Sequence, residues 1–190
     1  MTMVEALRRR QKYFLLAAGV LLVDQASKVA ADTLLRREGP TRVIPGLLNL
    51  WYSRNRGGLF GYFSEWGDPW RSLLLTLFPL LAIALIAWFL AKAEEQHGST
   101  LAGLALILGG AGGNLVDRVV RGEVVDFLDV YAAWPPLAER LASRFGTAHW
   151  PTFNIADSAI VVGAGLLILD ILRGEPAARG VEQEREQGRG

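Results

Sequence analysis

The chain has 190 residues, 51% of them hydrophobic, and a formal net charge of +1, so no basic field argues for nucleic acid as a partner. It has no cysteine, which removes disulfides, thiolate catalysis and cysteine-ligated zinc. Its two histidines, His97 and His149, are far apart and no HExxH pattern is present, so neither a metal nor another cofactor is expected.

Four runs, 13–31, 70–90, 100–119 and 153–172, are long and apolar enough to cross a bilayer, which takes about 20 residues of helix. The second contains Pro79, which membrane helices tolerate better than soluble ones. Between Ser72 and Leu90 it has no polar face to show to water, which argues against a soluble bundle. The first run follows Arg8-Arg9-Arg10-Gln11-Lys12, as in a secretory signal. It continues through Asp24 and Lys28 with no convincing small-x-small cleavage site and reads as a retained anchor. The basic N-terminus predicts a cytoplasmic start, hence both termini inside and two loops outside. Arg173, Arg179, Arg185 and Arg189 agree with an inside tail, whereas Arg36, Arg37, Arg42, Arg54 and Arg56 in the first loop weaken the bias.

In chain order, the first span carries Asp24 and Lys28, four apart and able to pair on one helical face. The first outer loop, 32–69, is too long for a simple connection. Within it, 41–53 reads as short strands or a hairpin broken at Pro45-Gly46. Next comes Asn55-Arg56-Gly57-Gly58-Leu59-Phe60-Gly61-Tyr62-Phe63, with Trp66 beyond. Glycines beside interfacial aromatics suit a flap lying on the membrane. The second span is uncharged scaffold, followed by a solvated turn at 91–99. In the third, Gly109 and Gly113 have the small-xxx-small spacing of close helix contact; they form no phosphate loop, since no strand precedes them and no Gly-Lys-Ser/Thr follows. Asn114, Asp117 and Arg118 end that span, and 122–127 reads as a turn and short extended stretch. The second outer loop, 128–152, contains Pro135-Pro136 and an amphipathic piece at 137–145. Asn154 and Asp157 open the fourth span. The segment 174–190 is charged and aperiodic, as in a disordered cytoplasmic tail. The expected fold is an all-α membrane protein, one domain over 1–173, with four transmembrane helices, a small β-rich extracytoplasmic segment and an interfacial flap.

With alternating spans, Asp24, Lys28, Asn55, Asn114, Asp117, Arg118, Asp126, Asn154 and Asp157 all fall at outer span ends or in outer loops. Convergence at one depth points to a single site. No histidine is placed to activate a serine, and Ser27 and Lys28, being adjacent, do not face each other on a helix. Carboxylates remain. Two aspartates in a poorly solvated site cannot both ionise comfortably, so one can activate water while the other donates a proton. Asp126 with Asp157 is the natural pair for metal-free peptide hydrolysis. Taken singly, each acid has a plainer use: Asn154 and Asp157 fit a capping box, and Asp117 could pair with Arg118 or bond Asn114. The alternative function is a small proton- or cation-coupled transporter subunit with the acids as a path, but a path should spread polar groups through the membrane depth, and the second span is bare. A non-catalytic scaffold leaves the convergent acids unexplained.

The ordered set Asp24-Gln25-Ala26-Ser27-Lys28, Asn55-x-Gly57-x-x-Phe60-Gly61, Gly113-Asn114-x-x-Asp117-Arg118-x-x-x-Gly122-x-Val124-Val125-Asp126-Phe127 and Phe153-Asn154-x-Ala156-Asp157-Ser158-Ala159 closely resembles the bacterial lipoprotein signal peptidases (signal peptidase II), across roughly residues 13–172. The resemblance implies an aspartyl endopeptidase of the bacterial inner membrane. Its partners would be membrane lipids and prolipoproteins whose cysteine carries a diacylglyceryl group, cleaved just before that cysteine; a monomer is expected. By motif position, Asp126 and Asp157 match the catalytic dyad. Asn55, Gly57, Asn114, Arg118 and Asn154 match groups that position substrate or dyad, and Asp24, Lys28 and Asp117 match supporting residues. Two departures stand out: a longer linker between the two acids, around 134–149, and the unusual Arg56 and Gly58.

Overall fold

The computed structural model describes residues 3–56, 68–92 and 97–173. Gly57, the flap expected at 57–66 and the tail at 174–190 lie outside the described residues. In chain order the elements are α1 (Met3–Leu34), β1 (Thr41–Ile44), β2 (Leu48–Asn55), α2 (Asp68–Lys92), α3 (Gly98–Arg121), β3 (Val124–Val130), α4 (Pro135–Phe145) and α5 (Ile155–Leu172). Four helical stretches, Arg10–Leu34, Leu73–Lys92, Gly98–Arg121 and Ile155–Leu172, are long and apolar enough to cross a membrane. Phe78, Leu81, Leu85 and Trp88 of α2, and Val161, Val162, Ile168 and Ile171 of α5, stay exposed, as lipid-facing positions would.

The helix α3 is the hub, packing on α1, α2 and α5. Glycine makes the approach close enough. A Cβ at Gly103 would meet the Gly163 carbonyl oxygen at 2.8 Å, and one at Gly163 would meet the Gly103 oxygen at 2.5 Å. A Cβ at Gly109 would collide with the Ala17 carbonyl and one at Gly110 with the Ala156 carbonyl. The expected glycine packing is therefore real and wider than one pair, since α3 meets α1 through one glycine face and α5 through another.

Helix ends are set by local chemistry rather than by where apolar character fades. The first helix runs on to Leu34, and the third stops where Gly122, at φ 75°, donates its N–H to Arg118 O, a left-handed cap that glycine adopts without a Cβ penalty. The fourth span starts at Ile155 rather than at 153, because Asn154 is its cap and Phe153 is drawn into pairing with β3: its N–H donates to Leu128 O, and Phe127 and Leu128 both donate to its carbonyl.

The hairpin expected at 41–53 is present as β1 and β2, turning through Gly46 at φ 82°. The third strand comes from the other loop, so part of 128–152 is strand where loop was expected. The sheet is antiparallel in the order β1-β2-β3. Two N–H groups sharing the Phe153 carbonyl mark a β-bulge, which turns Val125, Phe127 and Leu128 to one face and Asp126 and Asp129 to the other. The first face packs with Leu50, Tyr52 and Ile155 against Ala31, seating the sheet on α1 and α5. The amphipathic piece at 137–145 is α4, opened by two prolines and closed by Gly146 at φ 78°, with no buried residue.

Candidate active site

The C-terminal parts of α1 and α3 and the first turn of α5 meet at one end of the helices, beneath the sheet. At their centre is Lys28, whose ammonium is fully buried and has three acceptors: Asp24 Oδ2 at 2.9 Å, Asp117 Oδ2 at 3.0 Å and Asn114 Oδ1 at 2.9 Å. The expected Asp24–Lys28 pair is thus one edge of a larger cluster. Asp24 also accepts the Ala156 N–H at 2.9 Å, satisfying an amide at the start of α5 that has no intrahelical partner. Gly113 makes room for this: a Cβ there would collide with the Asp24 carboxylate.

Asp117 pairs differently from either sequence expectation, Arg118 or Asn114. Its cations are Lys28 and Arg121, one turn along α3, and its oxygens also accept from Gln25 Nε2 at 3.1 Å and from the Val125 N–H at 3.1 Å. Position explains the correction: Arg118, the next residue, points about 100° around the helix, whereas Arg121 shares a face with Asp117. Gln25 and Arg121 were missed as members of this group, although the i, i+4 spacing of Asp117 and Arg121 was visible. Asp24, Lys28, Asp117 and Arg121 balance two negative charges with two positive ones.

Asp126 and Asp157 are held on the other side of Asn114 by neutral donors. Asp126, 2% exposed, accepts Asn154 Nδ2 at 2.7 Å on one oxygen and Asn55 Nδ2 at 3.2 Å on the other. Asp157, half-buried, accepts Asn114 Nδ2 at 2.8 Å and the Asn154 N–H at 3.2 Å. The capping box is present, since Asp157 N–H donates to Asn154 Oδ1 at 3.0 Å; capping and site geometry use the same two residues. Asn154 Nδ2 also lies 3.2 Å from Asn114 Oδ1 and 3.3 Å from Val125 O. One amide therefore ties α5 to β3, and Val125 is gripped at N–H by Asp117 and at C=O by Asn154, which fixes the carboxyl that follows it.

Burial first, then the nearby negative charge of Asp157, pushes the Asp126 carboxyl up to about 7, against the opposing bonds from Asn55 and Asn154 and the charge of Lys28. Arg118 is half-buried, interacts electrostatically with Asp157, Asp126 and Asp117, and makes no hydrogen bond or ion pair among the described residues. Arg56, unusual in its motif, pairs with Glu123 at 2.9 Å, and Arg54 pairs with the same carboxylate, bracing the β2–β3 corner. Among the described residues no group of three His, Asp or Glu side chains is arranged to hold a metal ion.

Of the sequence candidates, Asp24, Lys28, Asn55, Asn114, Asp117, Asp126, Asn154 and Asp157 come together in one hydrogen-bonded cluster, and Arg118 lies beside it within electrostatic reach of three of its acids. The arrangement offers two carboxyl groups from separate elements, one with a raised proton affinity, cross-linked by amides: the equipment for moving a proton to and from water.

A family model for signal peptidase (SPase) II matches residues 16–173. The lipoprotein signal peptidase of Geobacter metallireducens is 40% identical over 163 residues, covering 86% of this chain and 91% of the relative. That of Syntrophus aciditrophicus is 42% identical over 163 residues, covering 84% and 92%. A bacterial membrane enzyme structure solved by the in meso method superposes with a TM-score of 0.70 at 28% identity, covering 86% of this chain and 88% of that one.

Proposed function

Since the chain belongs to the signal peptidase II family of aspartic-type proteases, we propose that Asp126 and Asp157 are the pair with which it removes signal peptides from diacylglyceryl-modified prolipoproteins, just before the lipidated cysteine. The observation that carries this is the amide bridge: Asn154 and Asn114 hold two carboxyls from different elements with neutral donors, so neither acid is locked into its charged form by a cation.

In the proposed reaction Asp126 holds the proton and Asp157 is ionised. Asp157 takes a proton from water as it attacks the scissile carbonyl, and Asp126 protonates the departing amine. A carboxylate terminates the released signal peptide, and a free α-amine is left on the lipidated cysteine. Arg118 takes a substrate backbone carbonyl near the acids. Asn55 and Asn114 keep the carboxyls oriented, while Asp24, Lys28 and Asp117 hold α1, α3 and α5 in register. Substrate acyl chains entering the bilayer, at about 0.8 kcal/mol per methylene, hold the scissile bond at the interface. We place this site near the extracytoplasmic face of the inner membrane, with both termini cytoplasmic, in a monomer whose residues 1–173 form one domain.

Purified protein in detergent is given a diacylglyceryl-modified precursor and, in parallel, the same precursor unlipidated. Cleavage confined to the lipidated form and retained in Asp117→Asn above Asp126→Asn is the expected result. Full activity in Asp126→Asn with none in Asp117→Asn would move the pair to Asp117 and Asp157. No cleavage by well-folded protein would overturn the proposal and return the transporter reading.

A further inference from the structure

The face of β3 that presents Asp126 continues to Asp129, and there the sheet opens into a cleft of ≈ 350 Å³ lined by Trp51, Ser53, Asp129, His149, Trp150 and Pro151 among others. Half of its wall comes from the linker that is longer than the motif pattern leads one to expect. That wall is built, not loose. Trp150 N–H donates to Val130 O at 2.8 Å, His149 Nδ1 lies 2.8 Å from Asp129 Oδ1, and the imidazole stacks on Tyr131 with centroids 5.2 Å apart. We propose that this cleft is a specificity pocket for the lipoprotein itself, taking a large apolar side chain that lies two to four residues after the lipidated cysteine. The inference rests on cleavage occurring at Asp126 and Asp157.

Distance and direction both favour that occupant. Ser53, a lining residue, is the register partner of Asp126 across the sheet, so the cleft begins one residue pair from the reacting carboxyl. An extended peptide advances about 3.3 Å per residue, and Asp129 is the third residue after Asp126. A chain lying along this face with its scissile bond at the acids therefore brings its second to fourth residues into the cleft. The cleft also lies on the side of the acids away from the spans. β3 starts just after α3, at Val124, and reaches Asp129 near its far end, and the returning segment passes Trp150 opposite Val130 before entering α5. The signal segment, being the apolar part, belongs with the spans; the mature chain leads away from them.

Chemistry selects the side chain. Trp51 and Trp150 remain 46% and 63% exposed, and with Pro151 they offer flat apolar walls. Asp129 is 1% exposed, with one oxygen beside His149 and the other accepting Asn49 Nδ2 at 2.9 Å, so it presents almost no surface to an entering lysine or arginine. An aromatic or branched aliphatic side chain displaces water from these apolar walls.

The test is a set of lipidated precursors with tryptophan at the second, third or fourth position after the cysteine, each compared with glycine there. For the wild type, one position should raise kcat/KM about tenfold over glycine, and Trp150→Ala should bring that ratio to within roughly twofold of one. Because both precursors are assayed on the same preparation, loss of folded enzyme cancels from the ratio. Should Trp150→Ala be inactive on both, Trp51→Ala on the facing wall is read in the same way. A wild type with no preference at any position, or a ratio unchanged in the variants, would overturn the pocket while leaving the peptidase intact. Failure to cleave even the glycine precursor would instead remove the functional reading beneath it.

Discussion

Around Lys28, each buried acid is answered by a cation: Asp24 and Asp117 share its ammonium, and Asp117 has Arg121 as well. Around Asn154, among the described residues, no cation bonds or ion-pairs with either acid and Arg118 acts on them only through its field; Asp126 and Asp157 are held by side-chain amides and one backbone N–H. The two groups are one turn of α3 apart, at Asn114 and Asp117, and Asn114 belongs to both, accepting from Lys28 and donating to Asp157. Charge compensation fixes an acid in its ionised form and makes it a strut. Neutral donors orient an acid without committing its proton. On the proposed function, the same residue type serves structure in one group and chemistry in the other, and the difference lies in the partners.

The largest effect should come from the uncompensated pair. Asp126→Asn and Asp157→Asn should each lower the cleavage rate by about 10²–10⁴-fold, the range for loss of a general acid or base, with helical circular dichroism retained. If either variant keeps near-normal turnover, the contrast between the two groups collapses.

Lys28→Met attacks the compensated group. It leaves Asp24 and Asp117 facing each other in a fully buried site, and breaking such a pair costs about 3–5 kcal/mol. The expected readout is a large drop in Tm in detergent. A Lys28→Met, Asp24→Asn double variant should recover part of it, because one uncompensated charge has gone. Equal Tm values for wild type and Lys28→Met would show that the cluster carries no net stability.

Proton affinity sharpens the comparison further. Asp126 is raised from an ordinary 3.8 to about 7, so a mechanism that needs it protonated should lose kcat/KM about tenfold per pH unit above that value. Stability follows the same sign. A carboxyl whose folded value is raised binds its proton more tightly in the native state, so its contribution is fully present below pH 3.8 and lost as pH rises through about 7. Asp126→Asn should flatten that part of the stability profile. Because the Asn154 bond opposes the rise, a variant retaining Asp126 but lacking Asn154 should keep the alkaline limb and move it to higher pH; a limb that stays in place would show that this amide does not tune the carboxyl.

Much of this was legible in the residues. Apolar length set the four spans, and alternation of the spans brought nine polar residues to one end. Pro45-Gly46 marked the hairpin turn, and Pro135-Pro136 the start of α4. What could not be read depended on contacts between distant segments. Nothing local to Asp117 says that Lys28, on another helix, is its partner, and the bulge that turns Asp129 to the same face as Asp126 exists only because Phe153 pairs with β3. The extended stretch expected within 122–127 is the start of β3, but its continuation to Val130 was hidden for the same reason: its neighbours, β2 and Phe153, are distant in the sequence.

A fifth acid tests whether the contrast is about partners or about location. Asp170, near the other end of α5, accepts Ser99 Oγ at 2.8 Å and Thr100 Oγ1 at 2.7 Å. These are neutral donors, as at Asn154, but the residue lies a helix length from Asp126 and Asp157. If neutral donors alone made an acid reactive, this one would qualify. We expect it to act only as a clasp between α3 and α5. Thr100→Ala should cost about 1 kcal/mol, or roughly 2–4 °C in Tm, with kcat/KM and its alkaline limb unmoved. A catalytic effect from Thr100→Ala would mean that the two ends of the α3–α5 pair communicate, and that the site is defined by how those helices seat along their whole length rather than by the amides at one end.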